Sequence, residues 1–139
     1  MSKDALAIAL FFLKFRPRSV FEIEEKLKAK KIEQEEIDKT IVVLKRNKLL
    51  DDAEFAKMYV RDRNLLKPTG AYLLRLELKR LGIDSQIIDE AMADQDEEAL
   101  AREALGSKYR YRDADFDRQA QFLQRRGFGM NVIMKILKK

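Results

Sequence analysis

The sixteen residues "ELKRLGIDSQIIDEAM", Glu77 to Met92, carry a skeleton that the chain uses three times. Residues 26–41 read "KLKAKKIEQEEIDKTI" and residues 122–137 read "FLQRRGFGMNVIMKIL". The second, seventh, twelfth and sixteenth positions are apolar in every copy: Leu27, Ile32, Ile37, Ile41; Leu78, Ile83, Ile88, Met92; Leu123, Phe128, Ile133, Leu137. The copies lie 51 and then 45 residues apart, and a recurring period of this size is the mark of a repeat architecture.

Working outward, apolar residues keep three- and four-residue spacing almost everywhere and never alternate for long, which predicts an all-helical chain. Extending the register backward gives three helices per unit: Asp4 to about Phe15, Val20–Lys30 and Glu33–Lys45; Asp52–Leu66, Ala71–Leu81 and Ser85–Met92; Glu97 to about Tyr109, Asp115–Arg126 and Met130–Leu137. Ser19 with Glu22, and Asp51 with Glu54, have the spacing of capping boxes. Gly82 and Gly127 fall where a helix should end in a left-handed residue, and "RPRS" at 16–19 lies over "KPTG" at 67–70. The expected organisation is three units, 1–48, 49–94 and 95–139. Three short helices bury too little alone, so the units should stack into an elongated, curved body.

The 139 residues are 46% apolar and 38% charged, a globular mixture far from the signature of disorder. The longest apolar run, "ALAIALFFL", is about half of a membrane span and is followed by Arg16, Pro17 and Arg18, so a cytoplasmic protein without a membrane role is expected. With no cysteine and no histidine, disulfides and most zinc chemistry are excluded. The net charge of +5 is uneven: 12 basic against 8 acidic residues over 1–50, 7 against 9 over 51–95, and 10 against 7 over 96–139. That excess can attract polyanions but is weaker than a dedicated basic arm.

"RPRSVFEIEEKLKAKKI", "LLDDAEFAKMYVRDRN", "GAYLLRLELKRLGI" and "FLQRRGF" occur in the order seen in the RecX family, and the chain resembles that family over nearly its whole length. The resemblance implies three tandem three-helix units and a regulatory protein that lies in the groove of the RecA–DNA filament, restrains its ATPase, strand-exchange and coprotease activities, and so modulates recombinational repair and the SOS response. Two departures stand out: the glycine after the second helix is Lys31 in the first unit, and the glycine-rich turn before the double aspartate is "RNKLL". A side chain in a left-handed position costs up to about 1 kcal/mol, so the first turn should differ in detail.

Asp51 and Asp52 precede a helix with no second acidic cluster nearby, which favours capping over catalysis. The four serines have no histidine to activate them, and no phosphate-binding glycine loop occurs, so neither an enzyme nor a cofactor is expected. A DNA-reading helix-turn-helix would place carboxylates from "EQEEIDK" and "DSQIIDE" against phosphate, which disfavours sequence-specific recognition. Cations gather near the end of each second helix, where they suit the helix dipole and could also face an acidic protein or phosphate. The residues expected to contact RecA or DNA are Arg16, Arg18, Arg61, Arg63, Arg75, Lys79, Arg80, Arg125 and Arg126. Tyr109 and Tyr111 in "KYRYR" either stack on an unpaired base or cover the edge of the core; core cover is the commoner role. Phe11, Phe12, Phe15, Phe55, Phe116, Phe122 and Phe128 fit helix faces and read as packing residues. The expected partners are the RecA filament and, weakly and without sequence preference, DNA, with the chain a monomer. The alternative is a general DNA-binding protein that affects RecA only by competing for DNA.

Overall fold

The computed structural model describes residues 2–138, and within them the side chains of all but Ser2, Lys3 and Tyr109. Ten helices follow one another: α1 (Ser2–Phe15), α2 (Val20–Ala29), α3 (Gln34–Arg46), α4 (Asp52–Leu66), α5 (Ala71–Arg80), α6 (Ser85–Met92), α7 (Glu97–Ser107), α8 (Tyr109–Arg112), α9 (Phe116–Arg125) and α10 (Met130–Leu137). Helix packing is concentrated among α1–α3, among α4–α6 and among α7–α10. Each group closes on its own apolar cluster, so the chain is a string of helical units and not one large core.

The repeated skeleton supplies those clusters. Leu27, Leu78 and Leu123, with Ile37, Ile88 and Ile133, are wholly or almost wholly buried. Burying one such side chain contributes about 1.5–3 kcal/mol. Ile83 and Phe128 are buried, whereas the equivalent Ile32 is only partly covered.

Local signals set the helix ends. Ser19 Oγ accepts the Glu22 amide while the Glu22 carboxylate accepts the Ser19 amide, a complete capping box. The second box is only half formed: Asp51 caps α4 by accepting the Ala53 and Glu54 amides, but the exposed Glu54 carboxylate turns to Lys57 at 3.7 Å. Gly82 and Gly127 take the left-handed conformation, with φ of +78° and +93°, and Lys31 takes it without glycine, as does Lys48. In the third group the first helix stops at Ser107 instead of about Tyr109. Lys108 is extended, and the single turn α8 follows so that Tyr111 can lie on Phe122.

The units meet through a joint built twice to one plan. The start of α2 meets the turn after α5: Ser19 Oγ donates to the Leu81 carbonyl at 2.7 Å, and the Val20 amide donates to Asp52 Oδ1 at 2.9 Å. The start of α5 meets the turn after α9: the Gly70 amide donates to the Arg126 carbonyl at 2.8 Å, and the Ala71 amide donates to Glu97 Oε1 at 2.9 Å. Asp52 and Glu97 are equivalent in the repeat, so each caps the middle helix of the unit before it. Burial pushes the Asp52 carboxyl above its usual range even though the Val20 amide holds the anion. The glycine of each turn lets the preceding unit approach: a Cβ on Gly82 would stand 2.2 Å from the Phe21 Cβ, and one on Gly127 would stand 2.4 Å from the Leu73 Cβ.

Candidate partner-docking groove

Between the first two units the turn after α1 faces one side of α4 and the end of α5, leaving a groove of about 560 Å3. Pro17, Phe55, Met58, Leu66 and Leu81 form its apolar lining, and Arg16, Arg63 and Arg80 line it with Asp62 and Glu77. A second hollow, about 770 Å3, continues from it past Phe15 and Leu49 and shares Arg16, Pro17, Phe55 and Met58. Lys14, Arg18, Lys48, Lys57 and Arg61 line this extension together with Asp51 and Glu54.

The groove's polar wall is rigid. Arg63 Nε and Nη2 donate to the two oxygens of Glu77, each at 2.8 Å, and the Tyr59 hydroxyl donates to Glu77 Oε1 at 2.7 Å. A bidentate guanidinium holds a carboxylate in one plane. These bonds hold the Glu77 carboxyl below its usual range, while burial and the same carboxylate raise the Tyr59 hydroxyl. Glu22 is pushed up by burial, but the Arg16 hydrogen bond, the Ser19 amide and the Arg18 charge outweigh this and leave it lowered.

A sign follows for acid. A carboxylate whose folded pKa is lowered stabilises the fold fully above its ordinary value of 4.5 and loses that contribution as pH falls through the lowered value. Glu77→Gln should therefore flatten the fall in stability below pH 4.5, leaving the part due to Glu22. Urea midpoints between pH 3 and 7 read this directly. An unchanged acid slope in the variant would remove Glu77 as its cause.

The nine cationic residues picked out by sequence do not form one surface. Arg16, Arg63 and Arg80 line the groove; Arg18 and Arg61 line its extension. Arg75 and Lys79 border a separate shallow hollow beside Tyr72. Arg126 spans the second joint, donating to the Pro68 carbonyl at 2.7 Å with its guanidinium 5.1 Å from the Phe122 ring. Arg125 donates to the Tyr111 hydroxyl at 3.2 Å. Several carry a carboxylate partner of their own: Arg16 pairs with Glu22, Arg61 with Asp62, Arg63 with Glu77 and Arg75 with Asp89.

The aromatic residues need correction. Phe55, Phe122 and Phe128 are buried and Phe12 partly so, but Phe15 is 65% exposed, and Phe11 and Phe116 are exposed as well. The close-packed face of α1 is made by Ala5 and Ala9, whose small side chains let α3 and α2 approach, which turns Phe11 and Phe15 outward against each other. Tyr111 stacks on Phe122 with centroids 4.4 Å apart, so it covers the core edge; the Tyr109 side chain lies outside the described residues. Sequence reasoning also missed Leu65 and Leu66, 78% and 80% exposed, which fall off the buried stripe of Phe55, Ala56 and Val60 at the end of α4. That loss of register before Pro68 was the available signal.

Two family models match: RecX, first three-helix domain, over residues 5–43, and RecX, second three-helix domain, over residues 51–92. A regulatory protein RecX of Chlorobium phaeobacteroides is 36% identical over 139 residues, covering 97% of this chain and 92% of the relative. One from Thermotoga maritima is 36% identical, covering 99% and 85%. Against a longer relative from Geobacillus, at 35% identity, the chain spans about half the length, 51%. Among solved structures, the crystal structure of RecX from Lactobacillus salivarius superposes with a TM-score of 0.84 at 25% identity, covering 99% of this chain and 94% of that one.

Proposed function

The chain belongs to the RecX family of regulatory proteins, and on that premise we propose that it binds the RecA–DNA filament and restrains RecA's ATPase, strand-exchange and coprotease activities. The observation that carries this reading is the groove: an apolar channel with exposed anchors at Phe15 and Leu66 and a mainly cationic rim, which suits a protein surface presenting an apolar side chain among carboxylates. The protein then acts by occupancy, without turning over a substrate of its own, as a monomer in the cytoplasm where the filament forms. No helix among the described residues is long and apolar enough to cross a membrane.

The units at 1–48, 49–94 and 95–139 belong to the same proposal, each as one weak contact whose joint engagement gives avidity across successive RecA subunits. In this reading Arg16, Arg18, Arg61, Arg63 and Arg80 steer and hold the partner. Arg75 and Lys79 contribute from the neighbouring hollow.

Charge reversal tests the cationic part. Combining Arg75→Glu, Lys79→Glu and Arg80→Glu should weaken binding to preformed filaments about tenfold or more, measured by co-sedimentation. The three are exposed, and the Arg75 pair with Asp89 at 2.6 Å lies in solvent, so its loss should cost little stability. Unchanged binding by a folded triple variant would remove this strip from the contact.

A further inference from the structure

The third unit gathers cations that the groove does not use. Tyr111 lies in α8 with one face on Phe122. Around it stand three guanidiniums: Arg110 at 5.9 Å and Arg118 at 6.0 Å from the ring centroid, and Arg125 bonded to the hydroxyl at 3.2 Å. The guanidiniums of Arg110 and Arg125 beside it hold the Tyr111 hydroxyl below its usual range. The platform is fixed, because Gln119 Nε2 donates to the Tyr111 and Arg112 carbonyls at 2.9 and 3.1 Å and ties α8 to α9.

The three arginines differ from most of those in the first two units in what balances them; only Arg46 and Arg80 there also stand outside the ion pairs found among the described residues. Arg16, Arg61, Arg63 and Arg75 each have a carboxylate partner, and Arg102 faces Glu98 at 3.8 Å. Among the described residues Arg110, Arg118 and Arg125 are all exposed, and their contacts are with the uncharged Tyr111. The acidic residues of the same stretch are Asp113, Asp115 and Asp117. The Asp115 carboxylate is occupied in capping α9, accepting the Arg118 amide at 3.0 Å.

Three exposed forks gathered around one tyrosine ring, none in an ion pair among the described residues, are complementary to an anion with several closely spaced charges. Guanidinium matches phosphate oxygens bidentately and is less strongly hydrated than ammonium, which lowers the cost of the contact. All three sit within about one ring's reach of Tyr111, a span suited to neighbouring phosphates of one strand and too compact for two strands across a major groove about 12 Å wide. We propose that Arg110, Arg118 and Arg125, assembled on Tyr111, form a site for the phosphodiester backbone of a polynucleotide strand. The proposal deepens the filament reading and rests on it: the third unit holds DNA while the groove between the first two holds protein.

The experiment uses the full chain and its triple variant R110Q/R118Q/R125Q, with a fluorescent oligo(dT) and a labelled duplex as probes across a salt series. For a single strand each phosphate contact contributes about 0.7 to the slope of log affinity against log salt, and for a duplex about 0.9. Removing three contacts should lower the slope by about 2 on oligo(dT) and about 3 on duplex, and weaken binding about tenfold or more at low salt. The conservative R110K/R118K/R125K variant should keep most of the slope. Wild-type binding to one probe alone identifies which form supplies the strand and still supports the site. A parallel measurement of binding to DNA-free RecA should be unchanged. Unaltered DNA binding by the folded glutamine variant overturns the proposal. A loss confined to RecA binding also overturns it, by assigning the cluster to a protein contact. Failure of the wild-type chain itself to bind RecA sinks the filament reading and leaves the DNA result readable.

Discussion

Aspartate at both Phe15 and Leu66 should leave the chain folded and remove the inhibition of RecA proposed for it. The two side chains are 65% and 80% exposed, so the free protein makes few contacts through them, and surface changes of this kind usually stay within about 0.5 kcal/mol. Their cost falls on the complex. An apolar anchor buried at the centre of an interface is worth about 2 kcal/mol or more, which is about 30-fold in affinity for each residue. Aspartate adds repulsion against a partner that matches a cationic rim. The double variant should therefore need about 100-fold or more protein for half-maximal inhibition of RecA's DNA-dependent ATP hydrolysis, with an unchanged thermal midpoint. A folded double variant that inhibits at the wild-type concentration would remove the groove from the contact.

Alanine at Gly70 separates the second and third units. The Gly70 backbone has φ of −74°, which any residue adopts, so alanine there tests space alone. Its Cβ would lie 2.2 Å from the carbonyl carbon and oxygen of Gly127 and 2.4 Å from the Phe128 nitrogen, all main-chain atoms that cannot swing aside. Relief requires the joint to open, with loss of the Gly70 to Arg126 and Tyr72 to Gly127 hydrogen bonds. Overpacking of 1–3 kcal/mol and two hydrogen bonds of about 1 kcal/mol each give a loss of about 3–5 kcal/mol. Gly106 provides the contrast: its Cβ would meet nothing within 4 Å and it lies inside α7, so Gly106→Ala should stabilise by about 0.5–1 kcal/mol. Urea unfolding of the two variants should move in opposite directions, and limited proteolysis of Gly70→Ala should release the third unit. Equal stability of Gly70→Ala and wild type would contradict the joint.

The core was legible because its positions recur. Leu27, Leu78 and Leu123 fall at one register position and are all fully buried, and no single copy would have shown this against the scatter of other leucines. Gly82 and Gly127 were legible as left-handed helix ends from their place in the repeat. Their second duty was not, since it depends on Phe21 and Leu73 of another unit, far away in the chain. Lys31 takes the left-handed conformation at the equivalent position of the first unit without glycine, at a modest backbone cost.

The proposed docking surface was half legible. Basic residues stand out in a sequence, but their partners do not. Arg63 meets Glu77 and Arg75 meets Asp89 across helices, outside the i to i+4 spacing by which a sequence reveals ion pairs. Phe15 was misread because Phe11, Phe12 and Phe15 share the spacing of a buried stripe, while close packing of α1 selects the smaller Ala5 and Ala9. Arg110 was visible in "KYRYR" but its neighbour Arg118 was not, because the extended Lys108 and the short α8 bring the two to one ring.

The most direct test of the central claim is the single-strand DNA-dependent ATP hydrolysis of the host's RecA, with this protein titrated well below one copy per RecA subunit while free DNA is monitored. Inhibition at those ratios, with no loss of free DNA to the added protein, is the expected result if one bound chain bridges several subunits of the filament as proposed. Inhibition that begins only when the protein covers the DNA would contradict it and make the protein a competitor for the strand.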